Sequence, residues 1–286
     1  MKRLMLLIAF SFSVYAKQTP KSVEFLAISF DPRSIAQGGA GVGQEGGISS
    51  IYLNPSLLIG IENEEVVLMH NEWIDDIQYE FIGYGRRIDD RVLGLSGIWL
   101  HMPKIEGREP NKELLMYEAY DLGIIFTYAK LTKLGVLGGS IKAIRARIEK
   151  EEERSYAFDL GFLKRKPNFA MGASISNFGP KVQFIKEGNK MPLIFRMGCF
   201  FKAPNWKGVF DFVKEIEEPF SLRFGGEFPL KEYFLLRCGL YADMESNQGA
   251  TGGFEVKKNN FSLNYAFISY KDEIGNSHSI SLGINF

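Results

Sequence analysis

The chain has 286 residues, 45% of them hydrophobic, and its 34 basic and 34 acidic side chains cancel. A net charge of zero leaves no electrostatic footprint for nucleic acid. Past the N-terminus no stretch offers the ~18 consecutive apolar residues of a membrane-crossing helix. A mean hydropathy of -0.08 suits a soluble protein and a β-barrel equally, because only alternate residues of a barrel face lipid.

Residues 1–16 read as a secretory signal peptide. Lys2 and Arg3 give a positive start, Leu4 to Val14 an apolar run, and Val14-Tyr15-Ala16 a cleavage site that leaves Lys17 first. Residues 17–63 are Gly-rich with no sustained alternation, and are expected to fold into a lumen as a plug. Within them Asn54-Pro55 predicts a turn, and Ser56-Leu57-Leu58 the start of a short helix.

Residues 64–286 alternate with period two. Tyr120, Leu122, Ile124, Phe126 and Tyr128 interleave with Asp121, Gly123, Ile125, Thr127 and Ala129; Phe261, Leu263, Tyr265 and Phe267 interleave with Ser262, Asn264 and Ala266. The second face is mostly Gly, Ser, Ala and Asn with isolated charges, which suits a polar lumen better than a solvated exterior. The pattern predicts an all-β fold, a transmembrane antiparallel up-and-down barrel of about fourteen strands. These are 64–73, 76–88, 91–102, 114–129, 134–149, 154–164, 168–177, 192–202, 206–214, 219–228, 232–242, 250–257, 260–269 and 277–286.

Even-numbered connections such as Asp89-Asp90 and Lys258-Asn259 are tight. Most odd-numbered ones are long and polar: 103–113, 178–191, 243–249 and 270–276. That asymmetry is the outer-membrane arrangement and puts both termini in the periplasm. The last strand, His278 to Phe286, is amphipathic and stops on an aromatic, like the signal read by the barrel-assembly machinery. Outer-membrane lipid and that machinery are therefore the expected partners.

Cys199 and Cys238 share phase with Phe195, Met197, Phe201, Leu236 and Leu240, and read as small lipid-facing hydrophobes. Gly41 to Gly46 fits G-x-G-x-x-G but lacks the strand before and helix after that a dinucleotide site needs. The three histidines, His70, His101 and His278, show no metal spacing, and no catalytic motif is present. No cofactor and no enzymatic activity are expected. The phase places Glu80, Asp121, Asp159, Asp211 and Glu227 in the lumen with Arg196, Arg223 and Arg237. Such groups either line a permeation path or pair across strands, since an unpaired buried charge is costly; pairing is the favoured reading.

The segments 35-IAQGGAGVG-43, 52-YLNPSLL-58, 70-HNEWIDDIQYEFIGYG-85, 174-SISNFGPKVQF-184, 222-LRFGGEF-228 and 261-FSLNYAFISYKDEIGNSHSISLGINF-286 resemble the PorV/PorQ family, which is related to the FadL-type outer-membrane channels. Ser56 departs from the alanine usual after the proline. The resemblance implies a fourteen-stranded plugged barrel and two classes of function. One is docking or export of secreted proteins with type IX-like secretion components, slightly preferred; the other is passive FadL-like transport of hydrophobic molecules.

Overall fold

The computed structural model describes residues 23–73, 76–103, 105–107, 115–148, 151–184, 187–216, 218–243, 248–269 and 276–286. The signal segment 1–16, its junction at Lys17 and most of connections 243–249 and 270–276 lie outside them.

Fourteen antiparallel strands close into one barrel. They are β1 (Glu64–Glu72), β2 (Gln78–Ile88), β3 (Arg91–His101), β4 (Ala119–Leu131), β5 (Val136–Ile148), β6 (Glu151–Lys166), β7 (Phe169–Phe178), β8 (Ile194–Lys202), β9 (Lys207–Glu215), β10 (Phe220–Lys231), β11 (Phe234–Asp243), β12 (Gln248–Lys258), β13 (Phe261–Ser269) and β14 (Asn276–Asn285). Each pairs with its sequence neighbours, and β1 closes on β14 in the register Leu68↔Leu282. Closure removes the edges that an open sheet would present to lipid.

The barrel is a transmembrane one. Outward side chains such as Phe126, Ile141, Leu160, Met197, Phe224 and Leu240 are exposed and apolar, while their inward neighbours are buried or half-buried. A soluble protein could not leave so continuous an apolar belt in water. Cys199 and Cys238 are free thiols on this outer face.

Two long connections carry structure that the alternation does not show. Ile105–Gly107 pairs with Leu115–Tyr117, and Val182–Phe184 with Glu187–Asn189. The strand expected at 114–129 is therefore two pieces. Tyr120 is the last residue of β4 with a partner on β3, at His101; the chain before it pairs with the 105–107 segment instead.

Residues 23–61 pack against the inner wall as short helical turns: Glu24–Leu26, α1 (Pro32–Ala36), Ile48–Tyr52 and Pro55–Gly60. Helix α1 lies against β11 to β14, and the Pro55–Gly60 turn against β3 to β6. The segment comes this close because wall positions facing it are glycine. A Cβ on Gly138, Gly161, Gly172 or Gly239 would overlap Ser56, Asn54, Val42 or Gly38 respectively. Phe25 and Leu26 reach the loop end of the barrel, beside Tyr79 and Asn177, whereas Ile61 and Phe286 sit at the tight-turn end.

Candidate functional site: the lumen and its inner segment

The inner segment is locally determined. Asp31 caps α1 by accepting from the Arg33 amide, and Pro32 fixes the first turn. Asn54 caps the next turn with its Oδ1, which accepts from Ser56 N at 3.0 Å and Ser56 Oγ at 2.7 Å. Its Nδ2 donates to Val42 O at 3.0 Å and to Phe162 O of β6 at 3.1 Å. One buried amide thus spends its whole hydrogen-bonding capacity on helix start, segment shape and attachment to the wall. Pro55 beside it holds the first helical position.

The glycine-rich turn meets a carboxylate from the protein itself. Oδ2 of fully buried Asp211 accepts from Gly41 N and Val42 N, both at 2.8 Å. Gly41 has φ +130, a backbone that favours glycine and lets successive amides converge on one oxygen. Two of the amides that a G-x-G-x-x-G loop would offer a phosphate are thus already taken by a carboxylate of the wall.

A second attachment is ionic. Glu227, fully buried on β10, accepts from Arg237 Nε at 2.9 Å, Lys207 Nζ at 3.1 Å and Arg33 Nε of the inner segment at 3.2 Å. Arg237 extends the cluster to Asn264 at 2.7 Å and to Glu255. Arg223 donates to Gly39 O at 3.3 Å. Across the lumen Lys142 Nζ lies 2.8 Å from Asp159 and donates to Asn177 Oδ1 at 2.6 Å. Asn177 (φ +64), at a register shift between β6 and β7, ties this pair to the segment by donating to Leu26 O at 3.3 Å. Arg196 is buried with its guanidinium 6.0 Å from the Tyr52 ring, and its Nε and Nη1 have no partner among the described residues.

Seven of the eight charges expected in the lumen face inward. Glu227 and Arg237 bond to each other, Asp159 bonds to Lys142, and Asp211 and Arg223 bond to the inner segment. Asp121 is half-buried on the apolar side. Glu80 is the correction. It points outward and meets His70 Nδ1 at 2.7 Å. On β2 the bulky face is the inner one, because Tyr79 and Phe81 stack on Phe30 of the inner segment at 5.3 and 5.1 Å. Lys142, Arg33, Lys207 and Glu255 were not singled out by sequence. Lys142 was findable, since it shares the phase of Gly138 and Ser140 against outward Leu137 and Ile141.

Apart from Asp121 on β4 and Glu65 on β1, the inward charges named here gather on β5 to β12. The β1–β5 side is apolar toward the loop end, where Phe25, Phe30, Tyr79, Phe81, Leu100, Ile125 and Ile144 form one cluster. At the turn end a polar cavity of about 740 Å³ opens between Arg33, Glu45, Glu65, Lys207, Glu255 and Lys257. Burial pushes the Tyr52 hydroxyl up to about 12, so it stays protonated as it bonds Ser29 at 2.6 Å. Burial also pushes the Asp31 carboxyl above its ordinary range, against the pull of Arg33 and Arg237.

No family model matches the sequence, and no curated protein matches it. Solved structures do. The toluene transporter TodX of P. putida superposes with a TM-score of 0.67 at 10% identity, over 90% of this chain and 98% of that one. The fold is shared with these channels. CymD, a monoaromatic hydrocarbon channel, gives 0.66 at 12% identity over 93% of this chain and 99% of its own. The outer membrane protein Omp33 of Acinetobacter baumannii gives 0.50 at 8%, over 78% and 98%.

Proposed function

We propose that this chain is a non-enzymatic outer-membrane barrel that passes small hydrophobic molecules, with residues 23–61 as a plug that must shift for passage. The observation that carries the reading is the divided lumen: an aromatic and aliphatic cluster at the loop end, a plug held to the wall by polar attachments, and a polar cavity at the turn end. An apolar solute would enter at the loop end, partition among Phe25, Tyr79, Phe81 and Leu100, and be stopped by the plug. Opening on this reading releases the Gly39–Val42 stretch from Asp211 and Arg223 and Arg33 from Glu227, a local shift that leaves the attachments at Asn54 and Phe30 in place. The likeness to a toluene transporter and a monoaromatic hydrocarbon channel supports this choice. In this reading the tight turns face the periplasm and the long connections the outside.

Docking of secreted proteins, which the PorV/PorQ resemblance put first, now stands second. The matching structures named above include two hydrocarbon channels, and the docking reading keeps one observation of its own, the strand pairs Ile105–Gly107 with Leu115–Tyr117 and Val182–Phe184 with Glu187–Asn189 in the long connections. The test is uptake of radiolabelled toluene, and of a long-chain hydrocarbon, by cells with and without the protein. Transport predicts faster uptake that changes with Asn54→Ala and survives shortening of both connections. Uptake that is absent throughout, together with secretion components captured through those connections, would refute it.

A further inference from the structure

The outer wall is not uniform. On β10 the outward positions run apolar from Phe220 to Leu230, ~25 Å along the membrane normal at ~3.3 Å per residue and ~40° tilt. On β1 and β2 they do not. Going from the turn end, the cross-strand pairs facing outward are Glu64↔Arg86, Val66↔Tyr84, Leu68↔Ile82 and His70↔Glu80. Only two rows are apolar, so the polar rows stand ~15 Å apart on the same geometry, against the ~25 Å band that a bilayer covers. Glu64 and Arg86 lie 3.3 Å apart, His70 and Glu80 2.7 Å. An apolar groove of about 520 Å³, lined by Leu68, Ile82, Trp99, Ile124 and Leu282, straddles the same strands.

The order of charges on this strip is self-complementary. In each polar row one partner is on β1 and the other on β2, at one height; the Glu64–Arg86 row pairs opposite charges, and the His70–Glu80 row pairs a ring nitrogen with a carboxylate. A two-fold axis along the membrane normal, between β1 and β2, brings Glu64 of one chain against Arg86 of the other and His70 against Glu80, twice over. Leu68 and Ile82 meet across the axis in the same way. Such reciprocal contact is what a two-fold interface requires. It also covers polar rows that lipid would otherwise meet.

We infer that the β1–β2 strip is the surface on which a second copy of this chain docks side by side in the membrane. The test uses the full chain in lipid bilayers, counting copies per particle by single-molecule photobleaching, with heat-modifiable gel mobility to show that each variant is folded. The wild type is expected to pair. Arg86→Glu makes the turn-end row all acidic and Glu64→Arg makes it all basic; each alone should lose pairing at least tenfold. Mixed together the two variants should pair with each other, which a bond confined to one chain cannot produce. Wild-type chains single at every protein-to-lipid ratio would overturn the inference. So would single variants that pair like the wild type, or a mixture that stays single.

Discussion

Asp211→Asn isolates the attachment of the inner segment to the wall. The carboxylate accepts two backbone N–H groups, from Gly41 and Val42, at 2.8 Å each, and is fully buried. Bonds to a charged acceptor contribute ~1.5–3 kcal/mol each and neutral ones ~0.5–1.5. Asparagine keeps the shape and can still accept both bonds, so the expected loss is ~2–3 kcal/mol. At ~1.4 kcal/mol per decade this is roughly a 30- to 150-fold shift from seated toward released. Nearby Arg196, whose Nε and Nη1 lack partners among the described residues, loses an anionic neighbour, which pushes the same way. Hydrogen exchange of a peptide covering residues 38–46, measured in detergent on the folded barrel, reads the change directly. Exchange should quicken by that factor there while the strands stay protected. An unchanged rate would show that Asp211 does not hold the segment.

Asn54→Ala removes a cap and two bonds that bridge to Val42 and Phe162, and should cost ~2–4 kcal/mol in denaturant unfolding. Gly161→Val would force Asn54 off the wall, and should release residues 52–56 to protease without changing the outward face. Phe126→Arg, outward and 47% exposed, should cost ~2–4 kcal/mol if that position lies at the bilayer midplane, read by reversible folding into lipid; an effect near zero would invert the inside–outside assignment of β4. Folding raises the Asp31 carboxyl above 3.8, so the folded chain holds a proton that the unfolded chain has already released. Its contribution is full below 3.8 and is lost as pH rises through the raised value. Asp31→Asn should flatten that part of the stability–pH curve, and identical curves for the two proteins would refute the assignment.

The barrel was legible because lipid and lumen demand opposite chemistry at every second residue, and fourteen segments obey it. The strand ends were less so. The wall stops where partners stop, as at His101↔Tyr120, and no residue at 114–119 announces that. Inside–outside phase was read from bulk, a rule that holds while the interior is polar. On β2 the inner segment supplies Phe30 as an apolar partner, the large residues turn inward, and Glu80 goes out. Asn54-Pro55 was readable as a turn from local chemistry alone. That Asn54 also reaches β6, and that Arg33 reaches Glu227 across 194 positions, depends on closure of the whole sheet. The glycines opposite the segment looked like lumen filler and are clearance for a second backbone.

The seam between β1 and β14 sets an order of events during biogenesis. Ser279 of β14 bonds to Phe30, and Glu65 of β1 bonds to Ile48, so the first and last strands each hold part of the same inner chain. That chain also touches β6, β9 and β10 and leaves almost no clearance at the glycine positions. A closed cylinder could not then be loaded through either mouth without stripping those contacts. Residues 23–61 must be wrapped by the growing sheet, and the final hydrogen bonds of the β1–β14 register act as a clasp fastened around cargo already in place. Such long-range closure makes for slow folding, and it ties the rate of insertion to how well residues 23–61 are pre-shaped when the last strand arrives.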